Sequence, residues 1–64
     1  MNCDYAVMLS EVRGRKVITF EIGVGDNGEP VFRVAVFNGK RWNDVCYRDL
    51  REAYATYKFL KRVV

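Results

Sequence analysis

Sixty-four residues, half of them apolar, with four Phe, four Tyr, one Trp and a single Pro, exclude both a disordered segment and a multidomain chain. The absence of His removes Ser-His-Asp, Cys-His and every other imidazole general-base arrangement. A net charge of +3 is mild, so the placement of the charges says more than their sum.

A chain this short buries only ~60% of the surface its unfolded form exposes, and a dimer, a partner, a metal or a disulfide commonly supplies the missing stability. The sequence reads as one small domain over residues 1–64. Its first residues lack a basic stretch followed by an apolar one, and no segment is long and apolar enough to span a membrane. The expected location is therefore cytoplasmic, where Cys3 and Cys46 are expected as thiols.

Tyr5 to Val12 reads as a first strand, with Tyr5, Val7 and Leu9 on one face and Ala6, Met8 and Ser10 on the other; Met, Leu and Glu leave a short helix open. Arg13-Gly14-Arg15-Lys16 is turn chemistry with Gly14 free to take positive φ. Val17 to Val24 is a clear second strand. Ile18, Phe20, Ile22 and Val24 alternate with Val17, Thr19, Glu21 and Gly23.

Gly25 to Pro30 is a loop. Its acids lack the spacing of a calcium-binding loop, and its Gly23-x-Gly25-x-x-Gly28 string opens a turn into a strand rather than a helix, so neither motif carries function. Val31 to Phe37 and Lys40 to Tyr47 are the third and fourth strands. Asn38-Gly39 between them is a hairpin signal, since a type I′ turn needs positive φ at both central residues. A two-residue turn pairs Phe37 with Lys40, Ala35 with Trp42, Arg33 with Asp44 and Val31 with Cys46. On the other face it pairs Val36 with Arg41, Val34 with Asn43 and Phe32 with Val45.

Asp49-Leu50-Arg51-Glu52 resembles a capping box, with Asp49 accepting from the Glu52 amide and Glu52 reaching back. A helix follows from Leu50 to about Arg62. Leu50, Ala53, Tyr54, Tyr57, Leu60 and Val64 fall on one side, and Phe59 lies nearly opposite Leu50.

The expected fold is α+β: a four-stranded antiparallel meander with one C-terminal helix packed on one face, β-β-β-β-α. The helix should cover Ile18, Phe20, Ile22, Phe32, Val34, Val36 and Val45. Val31, Ala35, Phe37, Trp42 and Cys46 then form a second apolar surface with Met8. A homodimer or a strongly curled sheet would cover it. At the level of topology alone, with no shared motif, this arrangement resembles the small sheet-plus-helix domains of single-stranded-DNA-binding transcriptional coactivators.

In a meander the first and third turns share one end of the sheet, and the helix runs back toward it. Arg13, Arg15, Lys16, Lys40, Arg41, Lys58, Lys61 and Arg62 then gather at one pole with Glu11, while Asp4, Asp26, Glu29, Asp49 and Glu52 gather at the other. The helix dipole and the protection of hairpin tips favour part of this pattern without any partner. As a functional feature, the basic pole suits nucleic acid or an acidic protein surface, with Trp42 either in the core or exposed for base stacking.

The rest of the chemistry is negative. Ser10 is the only Ser, no phosphate-binding loop appears, and two Cys are too few for a zinc site. A Cys3–Cys46 disulfide requires the sheet to curl. No cofactor, metal or small-molecule substrate is expected, and the chain is expected not to be an enzyme. Three functions remain, the third being a self-assembling structural subunit. One is a dimeric protein contacting nucleic acid, or a complex that handles it, through the basic pole. Another is a protein–protein module, such as an inhibitor or adaptor of the kind viruses and mobile elements encode, acting through Met8, Val31, Ala35, Phe37, Trp42 and Phe59.

Overall fold

The computed structural model describes residues 4–64. Period-two runs rich in β-branched and aromatic residues form four strands, β1 (Ala6–Arg13), β2 (Lys16–Val24), β3 (Pro30–Phe37) and β4 (Trp42–Tyr47), and a 3.6-period run forms one helix, α1 (Leu50–Val63). The strands make one antiparallel sheet in the order β1-β2-β3-β4, and α1 packs across β2, β3 and β4. This is the α+β meander with a C-terminal helix that the residue pattern predicts.

The first turn closes on Arg13 opposite Lys16, with Gly14 at φ 64°. Positive φ at the first of two central residues is the type II′ arrangement, whose twist matches that of the flanking strands. The helix starts where Asp49, in extended backbone, accepts a hydrogen bond at Oδ1 from the Arg51 amide at 2.9 Å. The expected bond from the Glu52 amide is replaced by this one, a residue earlier in the first turn.

The hairpin at Asn38-Gly39 is the largest correction. The observed pairs are Phe37 with Trp42, Ala35 with Asp44 and Arg33 with Cys46 on one face, and Val36 with Asn43, Val34 with Val45 and Phe32 with Tyr47 on the other. The connection is thus four residues long, and β4 begins at Trp42 rather than Lys40. Gly39 takes φ 99°, but Asn38 does not take positive φ, so no type I′ turn forms. Instead the Asn38 side chain accepts from the Lys40 and Arg41 amides at 2.9 and 3.0 Å, and the Asn38 amide donates to the Arg41 carbonyl at 3.1 Å. An Asn side chain that closes its own loop this way competes with the tighter turn.

β1 also departs from strict alternation. Val7 lies opposite Glu21 and Leu9 opposite Phe20, so a bulge falls between them. One extra residue moves everything after it to the other face. Val7, Ser10 and Val12 therefore share one face, and Leu9 turns to the helix side.

The core lies under α1. Ile18, Phe20, Phe32 and Val34 from the sheet bury against Ala53 and Tyr57, with Ile22, Val36, Tyr47, Leu60 and Val64 packed at the margin. Phe20 sits at the centre of an aromatic group, stacked on Phe32 at 6.2 Å, edge-on to Tyr54 at 5.9 Å and tilted against Tyr57 at 6.0 Å. Tyr47 and Thr56 hydroxyls, 2.9 Å apart, tie α1 to β4. The pattern places Val45, Leu50 and Tyr54 beneath or along this contact; Tyr54 does meet Phe20 at its edge, but Val45 and Leu50 are more than half exposed. The helix turns its Ala53–Tyr57 seam inward, which leaves Leu50 toward solvent.

Candidate functional site

The face away from α1 is built on the alternate residues of the same strands. At its centre Glu21 and Thr19 are buried, although no helix covers them. The Thr19 hydroxyl donates to Glu21 Oε2 at 2.6 Å. Arg33, directly opposite Glu21 on β3, donates from Nε to Glu21 Oε1 at 2.8 Å and makes a second short bond from Nη2. A carboxylate held on two sides by charge-assisted bonds can be buried at tolerable cost. Asp44 completes the row, 3.6 Å from Arg33 Nη1. This pair was expected to be directly opposed and is diagonal, because Asp44 lies opposite Ala35.

Tyr5, immediately before β1, covers the acidic end of this face. Its ring packs on Gly23, where a Cβ would lie 2.9 Å from the ring, and it carries the Arg33 guanidinium 4.1 Å above its centroid. Its hydroxyl lies 3.5 Å from Cys46 Sγ on β4. The Tyr5 side chain thus reaches across β2 and β3 to β4. Burial pulls the Arg33 pKa down, but the bond and charge of Glu21, reinforced by Asp44 and Tyr5, hold it above the ordinary value.

At the opposite end of the same face stands Trp42. It is 54% exposed and leans on Phe37, with ring centroids 5.4 Å apart. Beside it is a shallow hollow of about 280 Å³ with Ala35 as its floor and Glu21, Arg33 and Asp44 around it. The two turns meet here: a Cβ on Gly39 would lie 3.7 Å from that of Arg15. Arg15 and Lys16 from the first turn thus stand with Lys40 and Arg41 from the third, all exposed. Among the described residues none of these four forms an ion pair, whereas Arg13 binds Glu11 at 3.2 Å.

The helix cations stand on the helix side of the sheet. Lys58 lies 5.5 Å over the Tyr54 ring and Lys61 5.7 Å over Tyr57. With Phe59 and Arg62 they line a groove of about 370 Å³ on the solvent side of α1. The eight basic residues thus divide into a turn cluster at the end of the sheet where Trp42 stands and a helix cluster over the other face. The expected apolar surface also divides. Ala35 is only 4% exposed and does not belong to it, and Val31 and Phe37 are half-buried. Met8 lies at the bulge of β1 and Phe59 on the outer side of α1, both away from Trp42.

No family model, curated protein or solved structure matches this chain. Among the described residues, no group of three or more His, Cys, Asp or Glu is placed to hold a metal ion, and no helix is long and apolar enough to cross a membrane. Cys46 is exposed, and the suggested Cys3–Cys46 bridge lies outside the described residues.

The Glu21–Arg33 pair was not anticipated. Its signal is the register of β2 on β3, which sets Glu21 opposite Arg33. That register depends on how the Gly25–Pro30 loop closes, with the Gly25 amide donating to the Glu29 carbonyl at 2.8 Å.

Proposed function

We propose that this chain is a non-enzymatic binding protein that takes single-stranded nucleic acid at the turn end of its open sheet face. The observation that carries this reading is the exposure of Trp42 at the end of the sheet where the two turns bring Arg15, Lys16, Lys40 and Arg41, none of them ion-paired among the described residues. Phe37 braces the indole from behind. A braced aromatic platform next to backbone-neutralising cations is what sequence-tolerant binding of an unpaired strand requires: stacking contributes roughly 1–3 kcal/mol per base, and phosphate contacts add a salt-dependent term. Duplex recognition fits less well, since Trp42 offers its face to an unpaired base.

Trp42 is the chain's only Trp, so its fluorescence reports the platform directly. Titration with a short oligodeoxythymidylate at low salt is expected to quench it, with affinity falling as salt rises. Trp42→Ala and Lys40→Glu/Arg41→Glu should each weaken binding measured by anisotropy of a labelled strand. No anisotropy change at low salt, with the protein folded, contradicts the proposal.

A second reading is favoured by a different observation, the apolar exposure of β1 and of Phe59. In that reading the chain is a protein–protein module, an inhibitor or adaptor. A stoichiometric protein partner recovered from lysate after nuclease treatment and a high-salt wash, together with failure to bind any oligonucleotide, would favour it over the first.

A further inference from the structure

We infer that β1 is the surface on which a second copy of this chain docks, its β1 laid antiparallel about a two-fold axis so that two four-stranded sheets become one. The inference is independent of the nucleic-acid reading. Among the described residues no strand pairs the outer edge of β1, which leaves a row of amides and carbonyls along eight residues. Exposed edges are usually blunted by shortness, charge, Pro or a bulge. β1 is eight residues long with no Lys or Pro, and its bulge is confined to Val7–Leu9. Its two charges, Glu11 and Arg13, bind each other at 3.2 Å.

The side chains point the same way. Val7 is 59% exposed, Met8 57%, Leu9 43% and Val12 67%, a density of open apolar residues found on no other strand. They occupy both faces: Val7 and Val12 the open one, Leu9 the helix side. Strands apolar on both faces are normally interior ones. The other edge, β4, is only six residues long and sets Asn43 and Asp44 among its apolar residues. The bulge near Met8 bends the first part of β1, so the unbroken ladder from Leu9 to Arg13 would carry the pairing.

Charge selects the partner and the direction. β1 runs from the end bearing Asp4 and the loop acids Asp26 and Glu29 to the end bearing Arg13, Arg15 and Lys16. Antiparallel pairing of two copies sets each basic end against the other's acidic end, whereas parallel pairing sets like against like. An isologous contact of this kind closes on itself and stops at two copies.

The test is oligomeric state by light scattering across a dilution series, with backbone hydrogen exchange. The wild-type chain should reach twice its 7.5 kDa at the concentrated end. Val7→Lys/Val12→Lys, which changes two exposed positions and should keep the far-UV circular dichroism of the wild type, should stay at the monomer mass. Exchange on the wild type should slow in β1 as concentration rises, with β4 unchanged. A wild-type monomer at every concentration, a dimer that persists in the variant, or concentration-dependent protection confined to β4 or to the open face would overturn the inference.

Discussion

On the helix side of the sheet, β2 and β3 bury Ile18, Phe20, Phe32 and Val34 against Ala53 and Tyr57. On the other side the same two strands bury Thr19 and Glu21 and hold them with Arg33. The first face is closed by a second layer. The second is closed by charge-assisted hydrogen bonds and by Tyr5 folded over one end. Stability therefore concentrates on one side, and the other side is left to present Trp42 without exposing the core. Residues of the two faces should accordingly separate in experiment, the helix side governing folding and, on the proposed function, the open side governing binding.

The largest expected effect is on the helix side. Ile18 is fully buried, and Ile18→Ala should cost about 2–5 kcal/mol. For a chain of 64 residues the total is only ~3–10 kcal/mol, so the urea midpoint should fall steeply or folding should fail. If Ile18→Ala lowers the midpoint no more than a surface change does, the core is misplaced.

Glu21→Ala tests the open face. Arg33 then loses its main partner but keeps Asp44 and a route to solvent, so the expected loss is about 1–3 kcal/mol in urea denaturation, smaller than for Ile18→Ala. A loss equal to that of Ile18→Ala would mean that the ionic row supports the fold as much as the apolar layer does.

The smallest effect is on pH dependence. Burial foremost, then the charge of Glu11 and the neighbouring Tyr54, raise the Tyr57 pKa above its ordinary 10.0, with Arg13 opposing. The unfolded chain therefore releases this proton first. The contribution is fully present below pH 10.0 and is lost as pH rises through the folded value. Thermal melts should show stability falling above that pH, with a shallower fall for Tyr57→Phe. An identical fall in the variant would assign the effect to other groups.

The parts of the fold legible from the residues are those that depend on periodicity. Assigning Asn38-Gly39 to a two-residue turn displaced the β3–β4 register by two positions. An even slip leaves every side chain on its original face, so the inward and outward residues of β4 were still assigned correctly. The bulge between Val7 and Leu9 is an odd insertion and did change faces. Nothing in Val-Met-Leu marks it, because no Gly or Pro interrupts the run. The turn cluster follows from meander topology alone. The helix cations do not, since the side of α1 on which Lys58 and Arg62 fall depends on how the helix is rotated over the sheet. The exposure of Trp42 was open to either reading, because periodicity identifies a face but not whether anything covers it.

The most direct test of the account is the fluorescence of Trp42 during titration with a short single strand at low salt, on a sample shown to be folded. Quenching should saturate, weaken with salt and disappear when Arg15, Lys16, Lys40 and Arg41 are replaced together, while the urea midpoint stays near that of the wild type. An unchanged emission spectrum through the titration would contradict it.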